Sequence, residues 1–256
     1  MMEYFWKQYS QLPKGVGYER FSLPHICILG VLTVLIICCV VAFHRQPEHR
    51  QERILQGIPF LMIALELFKD CFLIHGGTFS VGYLPLHLCS LGMFVFLFAA
   101  LSKTRKWKRV FAEISVTLIL PGSIAALLFP DWTTLYPVWN FMNLYGFVWH
   151  GLLVLVPILM IVHGQTDLTI RHIHYDFIFM ACAGLPVYVF DQLFHCNYMF
   201  LRHGPAGTPL AVIAELTGED FYLAGYAVFA AAVILLIYLV IELAKAGHRT
   251  REKVEL

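Results

Sequence analysis

Two side chains in this sequence have the chemistry of a covalent catalytic pair, Cys89 and His150. A thiol is a weak nucleophile and its thiolate a strong one, so a working cysteine needs a base to take its proton. His87 is the nearest base in sequence. Residues two apart on a helix, however, lie about 200° apart around its axis, so His87 and Cys89 cannot face each other if both are helical. The base then comes from another element, and His150 is the candidate. Singly, each has a plainer reading: Cys89 as a packed apolar thiol, His150 as a hydrogen-bonded residue between helices. A second set is Glu66, Lys69 and Asp70. Their spacings of three and four place them on one helix face. They read either as an internal ion pair that orients helices or as the seat of a polar head group.

These groups need elements to position them, and the chain offers membrane helices. Of its 256 residues 59% are hydrophobic and only 14% charged, with a mean hydropathy of +0.70. A soluble domain carries about 25% charged residues, so there are too few charges here to cover a water-facing surface. A net charge of +1 and the lack of a basic recognition helix give no reason to expect nucleic acid. Seven stretches are apolar enough to span a bilayer: 23–43, 54–75, 84–101, 110–129, 143–163, 174–194 and 221–243. The second is interrupted by Glu66, Lys69 and Asp70. The first serves as its own insertion signal, because no cleavage site precedes it.

Lys and Arg set the orientation. Arg45, Arg50, Arg53, Lys103, Arg105, Lys106, Lys108, Arg109, Arg171, Lys245, Arg249, Arg251 and Lys253 fall on one side of this map. Only Lys7, Lys14, Arg20 and Arg202 fall on the other. The basic side is expected in the cytoplasm. The fold expected is therefore all-α and polytopic, with seven transmembrane helices, the N-terminus outside and the C-terminus cytoplasmic. Residues 1–22 form an outer N-terminal segment, 23–243 the transmembrane domain and 244–256 a basic tail. Ala224, Ala227 and Ala231 suggest a close-packing stripe on the last span.

Ionisable residues inside a membrane are costly and mark functional sites. At 1.5 Å per residue, Glu66, Lys69, Asp70, His87, Cys89, His150 and Asp191 all fall in the outer half of the bilayer. The odd count of seven cysteines, most of them in apolar runs, argues against a disulfide framework, although Cys71 with Cys196 stays open. His195, Cys196 and His203 match no zinc spacing, so no metal and no cofactor are expected.

The segments Leu84-Pro85-Leu86-His87-Leu88-Cys89 and Asn197-Tyr198-Met199-Phe200-Leu201, with His150 between them, carry a family resemblance. Over most of its length the chain resembles the YwaF-type family of bacterial integral membrane proteins. That family is similar to a eukaryotic transmembrane acyltransferase family that makes polyunsaturated ether phospholipids, and more distantly to membrane hydrolases of branched fatty-acid esters. The resemblance implies Cys89 as nucleophile and His150 as base, in a bacterial plasma membrane. The substrate class would be a membrane phospholipid or lyso-lipid, and no protein partner is implied.

In such a reaction His87, Asn143, Tyr145 or a backbone amide near the start of the third span would stabilise the oxyanion. Glu66, Lys69, Asp70, Asp191, Asn197 and Tyr198 would hold the head group or orient His150. A lipid ester hydrolase of the same chemistry is one alternative. A transporter or receptor using Glu66, Lys69, Asp70 and Asp191 is a second, and a non-catalytic lipid-binding subunit a third.

Overall fold

The computed structural model describes residues 2–254, and the side chains of residues 3–246. The fold is all-helical among those residues and divides into two compact units, Met1–Gln165 and Thr166–Leu256. Five helical stretches are long and apolar enough to cross a membrane: Leu23–His44, Arg105–Thr134, Phe141–Val162, Ile170–Phe194 and Glu219–Ala246. Two expected spans differ. The second is a full helix, but its three charged residues keep it from being apolar throughout. The third is shorter than expected. It starts at Leu88 and has 14 residues, about 21 Å at the usual rise and less than the roughly 30 Å hydrocarbon core.

The first unit contains α1 (Leu23–His44), α2 (Glu48–His75), α3 (Leu88–Leu101), α4 (Arg105–Ile114), α5 (Leu120–Leu128) and α6 (Phe141–Val162). Helix α6 is its axis. Trp149, Leu153, Val156, Leu159 and Met160 of α6 pack with Met62 of α2 and with Met93 and Phe96 of α3 in one core. Small residues let neighbours approach. A Cβ on Gly92 would lie 2.7 Å from Leu153 Cδ2 of α6, and one on Gly151 would lie 2.7 Å from Leu32 Cδ1 of α1. Helix α1 turns Val31, Val34, Leu35 and Ile37 outward, as a lipid-facing helix does. A π-helical turn, Ser115–Ile119, joins α4 to α5. Pro121 has no N–H to give, and Thr117 Oγ1 and Ser123 Oγ bond back to the carbonyls of Glu113 and Ile119 at 2.9 and 2.7 Å.

At the basic end of the unit, Lys108 Nζ bonds Glu52 Oε1 at 2.7 Å. That contact holds the Glu52 carboxyl below its ordinary range. A depressed carboxyl contributes at neutral pH and loses its contribution as pH falls through the lowered value.

Residues 2–22, expected only as an outer segment, are tied down across the other end. Gln8 Nε2 donates to Phe72 O at 2.6 Å at the C-terminal turn of α2, and Thr78 Oγ1 donates to Gln8 Oε1. Asn140 Nδ2 donates to the carbonyls of Tyr4 and Lys7 at 2.7 and 2.9 Å. Tyr18 N bonds Thr133 O at 2.8 Å. Gly17 permits that approach, because a Cβ there would stand 2.2 Å from Thr134 O. The contact is backbone and cannot swing aside. Gly17→Ala should therefore loosen the segment, costing on the order of 1–3 kcal/mol. Limited proteolysis would read this as new cleavage before residue 22, and an unchanged digest would count against the strap.

The second unit contains α7 (Ile173–Phe194), α8 (Pro209–Thr217) and α9 (Tyr222–Val254). Tyr238 OH donates to Asp176 Oδ2 at 2.9 Å, with both residues about 1% exposed. Gly225 admits Thr217 and Ile213 of α8 against α9. The packed face of α9 carries Tyr222, Ile234 and Tyr238, whereas Ala224 and Ala227 are exposed. Ala231, the third residue of the expected stripe, is half-buried, so the stripe packs at one position and the tyrosines with hydrogen-bond partners carry the rest of the packed face. Helix α9 runs on past residue 243, and the side chains of Arg249, Arg251 and Lys253 lie outside the described residues.

Candidate functional site

One end of the first unit gathers the candidate residues of α2, α3 and α6. Lys69 Nζ lies 2.7 Å from Glu66 Oε1 and 3.2 Å from Asp70 Oδ1. Only the first contact has hydrogen-bond geometry; Asp70 Oδ1 is buried without a hydrogen bond. Glu66 and Lys69 are 5% and 7% exposed. Tyr145 OH donates to the second Glu66 oxygen, Oε2. Lys69 Nζ also sits 5.8 and 5.9 Å from the ring centres of Tyr145 and Tyr83. The charge cluster therefore ties α2 to α6 and is largely satisfied within the protein.

His87 and Cys89 do not share a helix. His87 is the N-cap of α3 with an extended backbone, φ −69° and ψ 151°, so the 200° separation expected for two helical positions does not apply. The cause is local: Leu84, the residue before Pro85, is extended at φ −62° and ψ 148°, so the helix cannot begin there and starts late. His87 lies within electrostatic reach of His150, Asp131 and Lys69. Cys89 is in the first turn of α3, half-buried, and packs on the core around α6. Its electrostatic neighbours include Glu66 and Tyr145. Among the described residues no hydrogen bond joins the Cys89 thiol to the His150 ring. Catalytic contacts are often long before substrate binds.

His150 is 8% exposed. Its Nδ1 lies 2.8 Å from Gly146 O. A carbonyl only accepts, so Nδ1 carries the hydrogen and Nε2 keeps the lone pair. The ring stacks on Trp132, with centres 5.0 Å apart and planes 9° from parallel. Asn143 is fully buried and partly spent: Oδ1 accepts from Tyr18 OH at 3.0 Å and Nδ2 donates to Val138 O at 2.9 Å. Of the proposed oxyanion donors, Tyr145 OH is likewise engaged, by Glu66.

Trp132 was absent from the sequence-derived set. Its Nε1–H is buried and has no hydrogen-bond partner, a state that costs free energy unless a ligand or water meets it. Gly146 makes room for it, since a Cβ there would stand 2.7 Å from Trp132 Cε2. Gly146 precedes His150 by four residues and so lies on the same helix face. That spacing was the one signal in the sequence that pointed to a group seated beside His150. Tyr4, Val16, Tyr18, Pro24, Val138 and Trp139 line an open apolar groove of about 490 Å³, and the hydroxyl of Tyr18 bonds Asn143.

Asp191, Asn197 and Tyr198 belong to the second unit and form a cluster there. Asp191 is fully buried; its Oδ1 accepts from Tyr198 N at 3.0 Å, and its Oδ2 has no hydrogen-bond partner. Asn197 Oδ1 accepts from Arg202 N and His203 N at 3.0 and 3.2 Å. His195, Met199 and Phe200 all hold positive φ, a strained turn that Asp191 and Asn197 pin. All seven cysteines, Cys71 and Cys196 included, are free thiols.

No curated protein and no solved structure matches this chain. Residues 20–238 match the TMEM164 family, a span that takes in every candidate residue above. With helices of membrane-crossing length in both units, the chain belongs to the TMEM164 family and is a multi-pass α-helical membrane protein.

Proposed function

We propose that the chain is a membrane-embedded acyltransferase acting on phospholipid or lyso-lipid through Cys89 and His150, in the cell membrane of a bacterium. The observation that carries this reading is the tautomer of His150: a buried imidazole whose Nδ1–H is held by Gly146 O and whose Nε2 is left as the acceptor. The resemblance carried by the Leu84–Cys89 and Asn197–Leu201 segments supports the same pair. The seven-span topology, with the N-terminus outside, is part of the proposal. In it the short α3 spans together with the extended residues before it, and α2 spans with its charges paired inside.

In this mechanism His150 Nε2 takes the proton of Cys89 Sγ as a lipid ester carbonyl approaches the sulfur. The thiolate attacks the carbonyl carbon and the carbonyl oxygen becomes an oxyanion. Collapse breaks the ester C–O bond, and His150 returns the proton to the departing lyso-lipid oxygen. A thioester remains on Cys89. The hydroxyl of a second lyso-lipid then gives its proton to His150 and attacks the thioester, which restores the Cys89 thiol. Water in that second step would make the protein a hydrolase. The Gly146 carbonyl and the Trp132 ring face both stabilise the imidazolium that forms in each half. Trp132 Nε1–H, buried with no hydrogen-bond partner, is the oxyanion donor we favour over Asn143 and Tyr145, whose polar atoms are engaged; His87 remains a candidate by its place at the cap of α3. Glu66, Lys69 and Asp70 act by positioning, since they hold α2 against Tyr145.

The reading is tested by incubating purified protein with phospholipid and searching for an acyl group on Cys89 by mass spectrometry. A hydroxylamine-labile adduct at Cys89 is expected; an acyl group found only elsewhere would discard the mechanism. Gly146→Ala should displace the Trp132 ring and lower turnover on the order of tenfold or more with the fold intact, because a misplacement near 1 Å can cost a hundredfold. Unchanged turnover in that variant would remove Trp132 from the site.

A further inference from the structure

At the opposite end of the first unit, residues from α2, α4 and the turn that closes α6 line a polar cavity of about 320 Å³. Arg105, Lys108 and Arg109 line it, with Glu48 on one side and His163 on another. It stands apart from the Cys89 site, because His163 is thirteen residues beyond His150 on one helix, roughly 20 Å at 1.5 Å per residue. The geometry points to this cavity as a binding site for a phosphate-bearing anion, either a lipid head group at the membrane surface or free phosphate.

Three features converge on that chemistry. First, Arg105, Lys106, Lys108 and Arg109 occupy the first turns of α4, and no acid stands in its first turn. Cations are disfavoured at a helix N-terminus, where the backbone dipole and free N–H groups present positive charge. An anion seated there relieves the repulsion and meets the amides. Glu52 pairs with Lys108 at 2.7 Å. Second, both ring nitrogens of His163 are buried without a hydrogen-bond partner on the wall of the cavity. A neutral imidazole always has one N–H to donate, and a phosphate oxygen would accept it. The backbone that carries the ring is held at the end of α6 by bonds from Gly164 N to Ile161 O and from Gln165 N to Met160 O. Third, Trp107 is 51% exposed beside this end, with Lys106 Nζ 5.8 Å from its ring centre. An exposed Trp with flanking cations is the composition of a membrane–water interface, where lipid phosphates are found.

The test uses the full chain in phosphatidylcholine nanodiscs. Native mass spectrometry counts retained phosphatidic acid as its fraction is raised, and inorganic phosphate is titrated separately by thermal shift. Saturable retention of phosphatidic acid alone identifies a lipid head group, and a saturable shift with inorganic phosphate identifies a free anion; either supports the site. Arg105→Glu and His163→Phe should each weaken that binding by about tenfold, while Arg50→Glu, on an exposed cation outside the cavity, should leave it unchanged. Non-saturable binding, equal losses with Arg50→Glu, or wild-type affinity in both cavity variants would overturn the proposal. Arg105→Gln, which removes charge without reversing it, guards against a folding defect and should fall between wild type and Arg105→Glu.

Discussion

Cys89→Ala is expected to abolish acyl transfer, by a thousandfold or more, with the protein still folded. Cys89 lies in the first turn of α3, half-buried against the α6 core, so the loss of one sulfur there costs little packing. His150→Ala should lose 10²–10⁴-fold in kcat through the missing base. Paired in one chain, the two changes should cost about as much as the worse of them, because nucleophile and base act as a unit. Cys89→Ser should keep lipid binding but not turnover, since a hydroxyl is far harder to deprotonate than a thiol. These are measured as acyl transfer from labelled phospholipid to lyso-lipid in nanodiscs, with retention of the helical signal as the folding control. Turnover within threefold of wild type in both Cys89→Ala and His150→Ala would end the mechanism. It would leave Trp132 and the buried charges of α2 as the features still needing a function.

The largest stability effect should come from Lys69→Met. Lys69 and Glu66 are both nearly sealed from solvent and 2.7 Å apart. Removing the cation takes away the 2.7 Å partner of Glu66 Oε1 and leaves the carboxylate with the Tyr145 hydroxyl on Oε2. Breaking a buried pair from one side costs about 3–5 kcal/mol. Replacing both partners, Glu66→Gln with Lys69→Met, should recover much of that loss, because the nearly sealed Glu66 is then neutral and the one charge that has lost its ion pair is the more exposed Asp70. Thermal unfolding in detergent gives the comparison. A single variant as stable as wild type, or a double variant no better than the single, would show that the pair is not the tie between α2 and α6.

The membrane class and most helix positions could be read from composition and hydropathy alone, because a lipid solvent demands long apolar helices whatever packs against them. The polar residues of the second span and the first turn of the third were also visible, since charge in an apolar run is conspicuous at any tertiary arrangement. Three things were decided only by packing. Helix α3 begins at Leu88, after His87 rather than before it, because capping depends on backbone angles that hydropathy does not encode. Trp132 joins His150 because Gly146 leaves a gap across α6, a contact between a loop and a helix of which the Gly146–His150 spacing marks the helix side and nothing marks the loop side. The N-terminal segment straps the ends of α2 and α6 through Gln8, Gly17 and Asn140. Those are long-range backbone contacts, and local sequence patterns carry no record of which distant carbonyl a side chain will find.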